Sequence, residues 1–218
     1  MNKSLKLNLL SDWKVELISS MIVLLCLTLV TYFPTQGNLQ TFSSALFFLF
    51  LLPILYIKFI LKQNLNNFGF ALPTKLRDLY WSLAMLFVSG LIIFLLLHFF
   101  DFEQKYLLPT YLAQSFWSFL FYELILVNFL FFIQEFFFKG FFLFLFAKRF
   151  GFWSVFLQGL LFTLFILATR TVWQSVPMLI LAFTGGVVAY KTKAFLYSYV
   201  MGLFFLIFLD AYIIYLFR

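Results

Sequence analysis

The chain has 218 residues, 65% of them apolar and 11% charged, with a mean hydropathy of +1.05 and a formal charge of +7. Soluble globular chains are nearer half apolar, so this composition excludes a soluble domain and predicts an integral membrane protein. The apolar runs show no polar–apolar alternation, which excludes a transmembrane barrel. The basic residues are scattered in short loops without a contiguous basic face, which argues against nucleic acid as a partner.

The first element follows a stretch carrying Lys3, Lys6 and Lys14. Its apolar run, Leu17 to Phe33, ends in Tyr-Phe-Pro rather than a small-residue cleavage site, so it predicts an uncleaved anchor and not a signal peptide. A second span covers about Phe42 to Leu61, with Pro53 expected to kink it. LKQNLNNFGFALPTKLRD then reads as a loop, with Gly69 and Pro73 as its breakers. A third span runs from Leu79 to Phe100. From Leu112 to Ala147 the sequence is almost continuously apolar and exceeds the length that a hydrocarbon core of about 30 Å requires. Two readings stand: one long helix reaching past the membrane, which is favoured, or a break near Asn128–Gln134. Spans at about Phe152–Ala168, Gln174–Tyr190 and Ala194–Phe217 complete seven.

Loop charge supports that count. Of the 15 Lys and Arg, eleven fall on the side of the N-terminus, and only Lys105, Arg170 and Arg218 on the other, Lys139 lying within a span. The positive-inside rule then puts the N-terminus on the cytoplasmic-equivalent side. The expected fold is all-α: a single polytopic bundle over residues 1–218, with N-terminal spans in 1–65. The 37 phenylalanines read as lipid-facing and inter-helix filler. Cys26 is the single cysteine and His98 the single histidine, so the chain alone offers neither a disulfide nor a Cys cluster. No cofactor or metal is expected.

The most polar feature inside a span is Gln134-Glu135-Phe-Phe-Phe-Lys139-Gly140. A carboxylate at the bilayer centre costs about 2.5–3.5 kcal/mol on insertion scales, so Glu135 needs a partner. Lys139 is four residues on, on the same helical face, with the acid N-terminal as such pairs prefer. Gly140 permits close approach of another segment.

The order of these features resembles the CPBP family, which includes the type II CAAX prenyl endopeptidases and bacteriocin-immunity proteins, over about Asn66 to Leu206. NNFGFALPTKLRD resembles the family's basic loop ahead of a span. QEFFFKGFF resembles its Glu-Glu-x-x-x-Arg-Gly motif, with Gln134 at the first Glu, Glu135 at the second and Lys139 at the Arg. Phe162 falls at the family aromatic and Ile166 at the histidine four residues later. In GGVVAYKTKAFLYSYVMGLFFL, Gly202 falls at the next histidine and Leu206 at the Asn or Asp. The resemblance implies a CPBP-like core over 66–206. It also implies that water activation for peptide cleavage is absent: Gln134 is no carboxylate base, Ile166 offers no proton or ligand, and Gly202 has no side chain. Glu135, Gln134 and Lys139 are then the remains of a catalytic motif.

The leading expectation is a non-catalytic binding, scaffold or accessory protein whose partners are membrane lipids and a membrane protein or membrane segment. Two rivals stay open. One is an active intramembrane endopeptidase using Glu135; the other is a transporter or lipid-handling protein with Glu123, Glu135 or Asp210 on its path. Glu123, Asn128 and Asp210 are candidate polar contacts between helices, and Asp210 is placed to face Arg170 or the outer interface. Gly185 and Gly186, with Ala182 and Ala189, form a small-residue stripe for close helix packing.

Overall fold

The structure, a computed structural model, describes residues 3–34, 37–70, 76–106, 109, 112 and 115–216, the side chains of 3–13 and 38 excepted. Pro73, Lys75 and Arg218, weighed above, lie outside the described residues, as do the side chains of Lys3 and Lys6. Among the described residues seven long helices follow one another: α1 (Lys3–Tyr32), α2 (38–60), α3 (Leu76–Phe100), α4 (Phe116–Phe150), α5 (Trp153–Thr169), α6 (Val172–Thr192) and α7 (Phe195–Leu216). Six are long and apolar enough to cross a membrane; α5, with 17 residues, is apolar but shorter. The chain is an all-α, multi-pass membrane bundle. In lipid only such internally hydrogen-bonded segments satisfy the backbone.

The fourth span is one helix, without a break at Asn128–Gln134. It starts four residues later than the apolar run suggested, with Ser115 accepting at its N-terminus from the Ser118 amide at 3.4 Å. Its 35 residues reach about 50 Å at 1.5 Å each. Two π-helical stretches, Tyr122–Val127 and Phe136–Phe142, interrupt its α-helical hydrogen bonding without ending it. Pro53 is likewise absorbed in α2, where π-helical stretches at Phe47–Leu51 and Tyr56–Ile60 flank it and Pro53 itself is buried.

The centre of the bundle is α6, packed against α3, α5 and α7, with the middle of α4 against α6 and α7. All seven residues of Phe136–Phe142 are buried, so the helix is enclosed on every side there. Their rings lock to neighbours edge-on: Phe138 on Phe162 of α5 at 4.8 Å between centroids, Phe136 on Phe195 of α7 at 5.8 Å. Single polar contacts tie other pairs, Ser19 to Tyr56 between α1 and α2 at 2.7 Å and Ser89 to Thr184 between α3 and α6 at 2.9 Å. The Arg149 guanidinium meets Glu16 at 2.6 Å, joining the end of α4 to α1.

The loop before α3 folds inward. Gly69 has φ +82, and a Cβ there would lie 2.6 Å from the Phe144 ring and 2.8 Å from the Phe195 nitrogen. Only glycine accommodates both the dihedral and the contact. The carbonyl of Phe68 and the ring of Phe195 at the start of α7 both stand against Gly140, so Gly140 admits this loop as well as another helix.

Candidate functional site

Glu135 and Lys139 form an ion pair inside the bundle, both about 97% or more shielded from solvent. The second carboxylate oxygen of Glu135 accepts from Ser198 Oγ on α7 at 2.8 Å. On α6, Gly185 makes the space for this group: a Cβ there would collide with Lys139 Nζ and Ser198 Oγ. The polar edge of α4 is thus received by α7 through a hydroxyl and by α6 through a missing side chain. Ser198 and Gly185 complete a three-helix junction that the motif alone did not reveal.

Gln134 is not part of that junction. It turns away from Glu135 and lines a groove on the other side of α4, its Oε1 buried and without a hydrogen-bond partner among the described residues. Ile166 is buried in the core. Gly202 is buried too, and the space above it is filled: a Cβ would lie 2.5 Å from Cζ of Phe131 and 3.4 Å from Leu181. Gln134, Ile166 and Gly202 therefore lie at a groove wall, in an apolar core and under an occupied contact. Gly202→His is expected to destabilise the protein by about 1–3 kcal/mol through overpacking. Phe131→Ala in the same chain should recover part of that loss in a thermal melt. If Gly202→His is as stable as wild type, the packing of Phe131 onto Gly202 is misassigned.

The groove beside Gln134 has a volume of about 1000 Å³ and is half open. Its walls are apolar: Phe42 of α2, Ile125, Leu126 and Leu130 of α4, Met178 of α6 and Leu206 of α7. One end is polar, where Tyr106, Arg170, Gln174 and Asp210 reach it. The short helix Phe102–Lys105 precedes Tyr106, with Phe102 fully buried and Lys105 over the ring of Trp173 at 4.5 Å. Asn128, deeper along α4, accepts a hydrogen bond from Tyr199 of α7 and donates to the Leu124 carbonyl at 3.1 Å.

Asp210 faces more than Arg170. Its carboxyl abuts that of Glu123 on α4, with the Tyr106 hydroxyl against it and Arg170 within electrostatic reach. Burial first, and then the Asp210 charge, hold the Tyr106 hydroxyl well above its usual range, so it serves Asp210 as a donor. Glu123 is fully buried. The sequence held a signal for this pair: on antiparallel spans, Glu123 and Asp210 lie about two turns from the same end.

Fold and site together define a multi-pass helical membrane protein with an internal ion pair and an apolar groove. No family model, curated protein or solved structure matches the chain.

Proposed function

We propose that this is a non-catalytic membrane protein, laid out like a CPBP core, that holds an apolar membrane molecule in the groove between α2, α4, α6 and α7. The N-terminus lies on the positively charged, cytoplasmic-equivalent side in this reading. The observation that carries it is the groove itself: about 1000 Å³, walled by apolar side chains and ending in a few polar groups. That volume is at the upper limit of ligand sites, and the pattern of apolar walls with sparse polar groups is what such sites share.

Its length selects the occupant. From Tyr122 to Gln134 the groove follows α4 for about 18 Å, well short of the roughly 30 Å that a partner's transmembrane helix would cover. A lipid-sized amphiphile fits that length better than a protein segment does. The cleavage reading is disfavoured by Glu135, whose oxygens are both engaged, by Lys139 and Ser198. Leu130→Trp places an indole into the groove from its wall. In native mass spectrometry from a mild detergent, wild type is expected to retain a bound lipid-sized mass and Leu130→Trp to lose it. Equal retention by both proteins would exclude the groove as the binding site.

A further inference from the structure

We infer that the occupant of this groove is a neutral amphiphile that is polar at both ends, its head beside Gln174 and Arg170 and a far hydroxyl on the Gln134 amide. The inference rests on the binding role proposed above. It starts from the order of side chains along the groove. Tyr106, Arg170, Gln174 and Asp210 make one end, and Gln134, about 18 Å further along α4, stands at the other. Between them the wall is Ile125, Leu126 and Leu130 of α4, with Met178 and Leu206 one turn in from Gln174 and Asp210.

The far end is the unexplained one. Gln134 lies halfway along α4, with Leu130 and Phe131 beside it on the wall. Its Oε1 is buried without a partner, and its amide nitrogen makes no hydrogen bond among the described residues. The nearby junction has nothing to offer it, since Lys139 and Ser198 are both engaged by Glu135. A polar group left bare in apolar surroundings is costly, and the occupant of the groove is what can reach it.

The chemistry of each end selects the occupant. Glu123 hydrogen-bonds Asp210, so these two acids hold one proton between them and the single charge left faces Arg170. That end is balanced and calls for a neutral head. Gln174 Oε1 already accepts from Thr171 Oγ1 at 3.0 Å, which leaves its amide N–H groups for that head. At the far end a plain methyl terminus would leave the Gln134 amide bare. A carboxylate or ammonium there would bring a charge into the span with no counter-ion among the described residues, Lys139 being committed to Glu135. A hydroxyl both donates and accepts, so it pairs with an amide through either its oxygen or its nitrogen.

The test uses the full chain in phosphatidylcholine nanodiscs with two probes of equal chain length, hexadecanol and the hexadecanediol that carries a hydroxyl at each end. Native mass spectrometry reads their binding, and thermal melting reads the stability of the unliganded protein. Wild type is expected to bind one diol about tenfold tighter than hexadecanol, the increment of one hydrogen bond to an otherwise bare group. Gln134→Leu, which keeps the volume and removes the amide, should erase that preference, hold hexadecanol at least as well and melt no lower than wild type. Leu130→Trp should weaken both probes alike. A diol bound no tighter than hexadecanol by wild type, or a diol preference surviving in Gln134→Leu, would overturn the hydroxyl contact while leaving the groove as a site. A lower melting temperature of unliganded Gln134→Leu would do the same, by showing that the amide already has a contact within the protein. Binding of neither probe, in wild type or variant, would remove the groove reading and this inference together.

Discussion

Glu135→Ala is expected to destabilise the bundle by about 3–5 kcal/mol, the cost of leaving one member of a buried ion pair without the other. The Lys139 ammonium would remain fully enclosed beside Gly185, with no described acid to replace Glu135. Lys139→Ala should cost a similar amount, because it strands the carboxylate with only the Ser198 hydroxyl. Removing both charges at once, as in Glu135→Gln/Lys139→Met, should cost much less than the sum, since a pair replaced by neutral groups of similar volume carries no orphaned ion. Exchanging the two residues, Glu135→Lys/Lys139→Glu, should be tolerated better than Glu135→Ala for the same reason. Reversible unfolding in mixed detergent measures all four. Wild-type stability in Glu135→Ala would mean that the junction does not fasten the helices.

Gly185→Ala is the second large effect expected, about 1–3 kcal/mol, from adding one carbon to a filled site. Its Cβ would fall on Lys139 Nζ and Ser198 Oγ, the two groups that satisfy Glu135, so the cost is one of steric displacement and of a disturbed ion pair. In a Lys139→Ala background the same change should cost less, because the ammonium it displaces is gone. Gly90 of α3 supplies the control. A Cβ there meets nothing within 4 Å, and Gly90→Ala should be neutral or mildly stabilising through helix propensity. Equal effects at Gly90 and Gly185 would show that backbone entropy, and not the junction, governs both.

The spans were legible in the sequence because bilayer thickness and backbone satisfaction leave few alternatives for long apolar runs. The Glu135–Lys139 pair was legible for a local reason, since four residues on one helix bring two side chains together. What receives it was not. Ser198 and Gly185 sit on other helices, and no periodicity within α4 refers to them. The same holds for Phe131 over Gly202: the sequence shows a glycine in a span, but only packing shows the space already taken. Gln134 is next to Glu135 in the sequence, which suggests one shared polar edge. Adjacent residues on a helix point about 100° apart, and here that rotation carries Gln134 out of the junction and into the groove wall. The groove has no sequence signature, because its apolar walls come from four helices and look like any lipid-facing surface.

In the proposed function the groove, and not the Glu135 junction, is the working surface of the protein. Photocrosslinking in intact membranes tests it most directly, with a photoreactive residue at Leu130 in the groove and, separately, at Leu83 on the exposed face of α3. The account predicts a discrete adduct of lipid-sized mass from position 130, diminished by Asp210→Asn and unaffected by Glu135→Gln, and only a diffuse lipid background from position 83. The same diffuse pattern from both positions, or an adduct from position 130 that depends on Glu135 and not on Asp210, would contradict it.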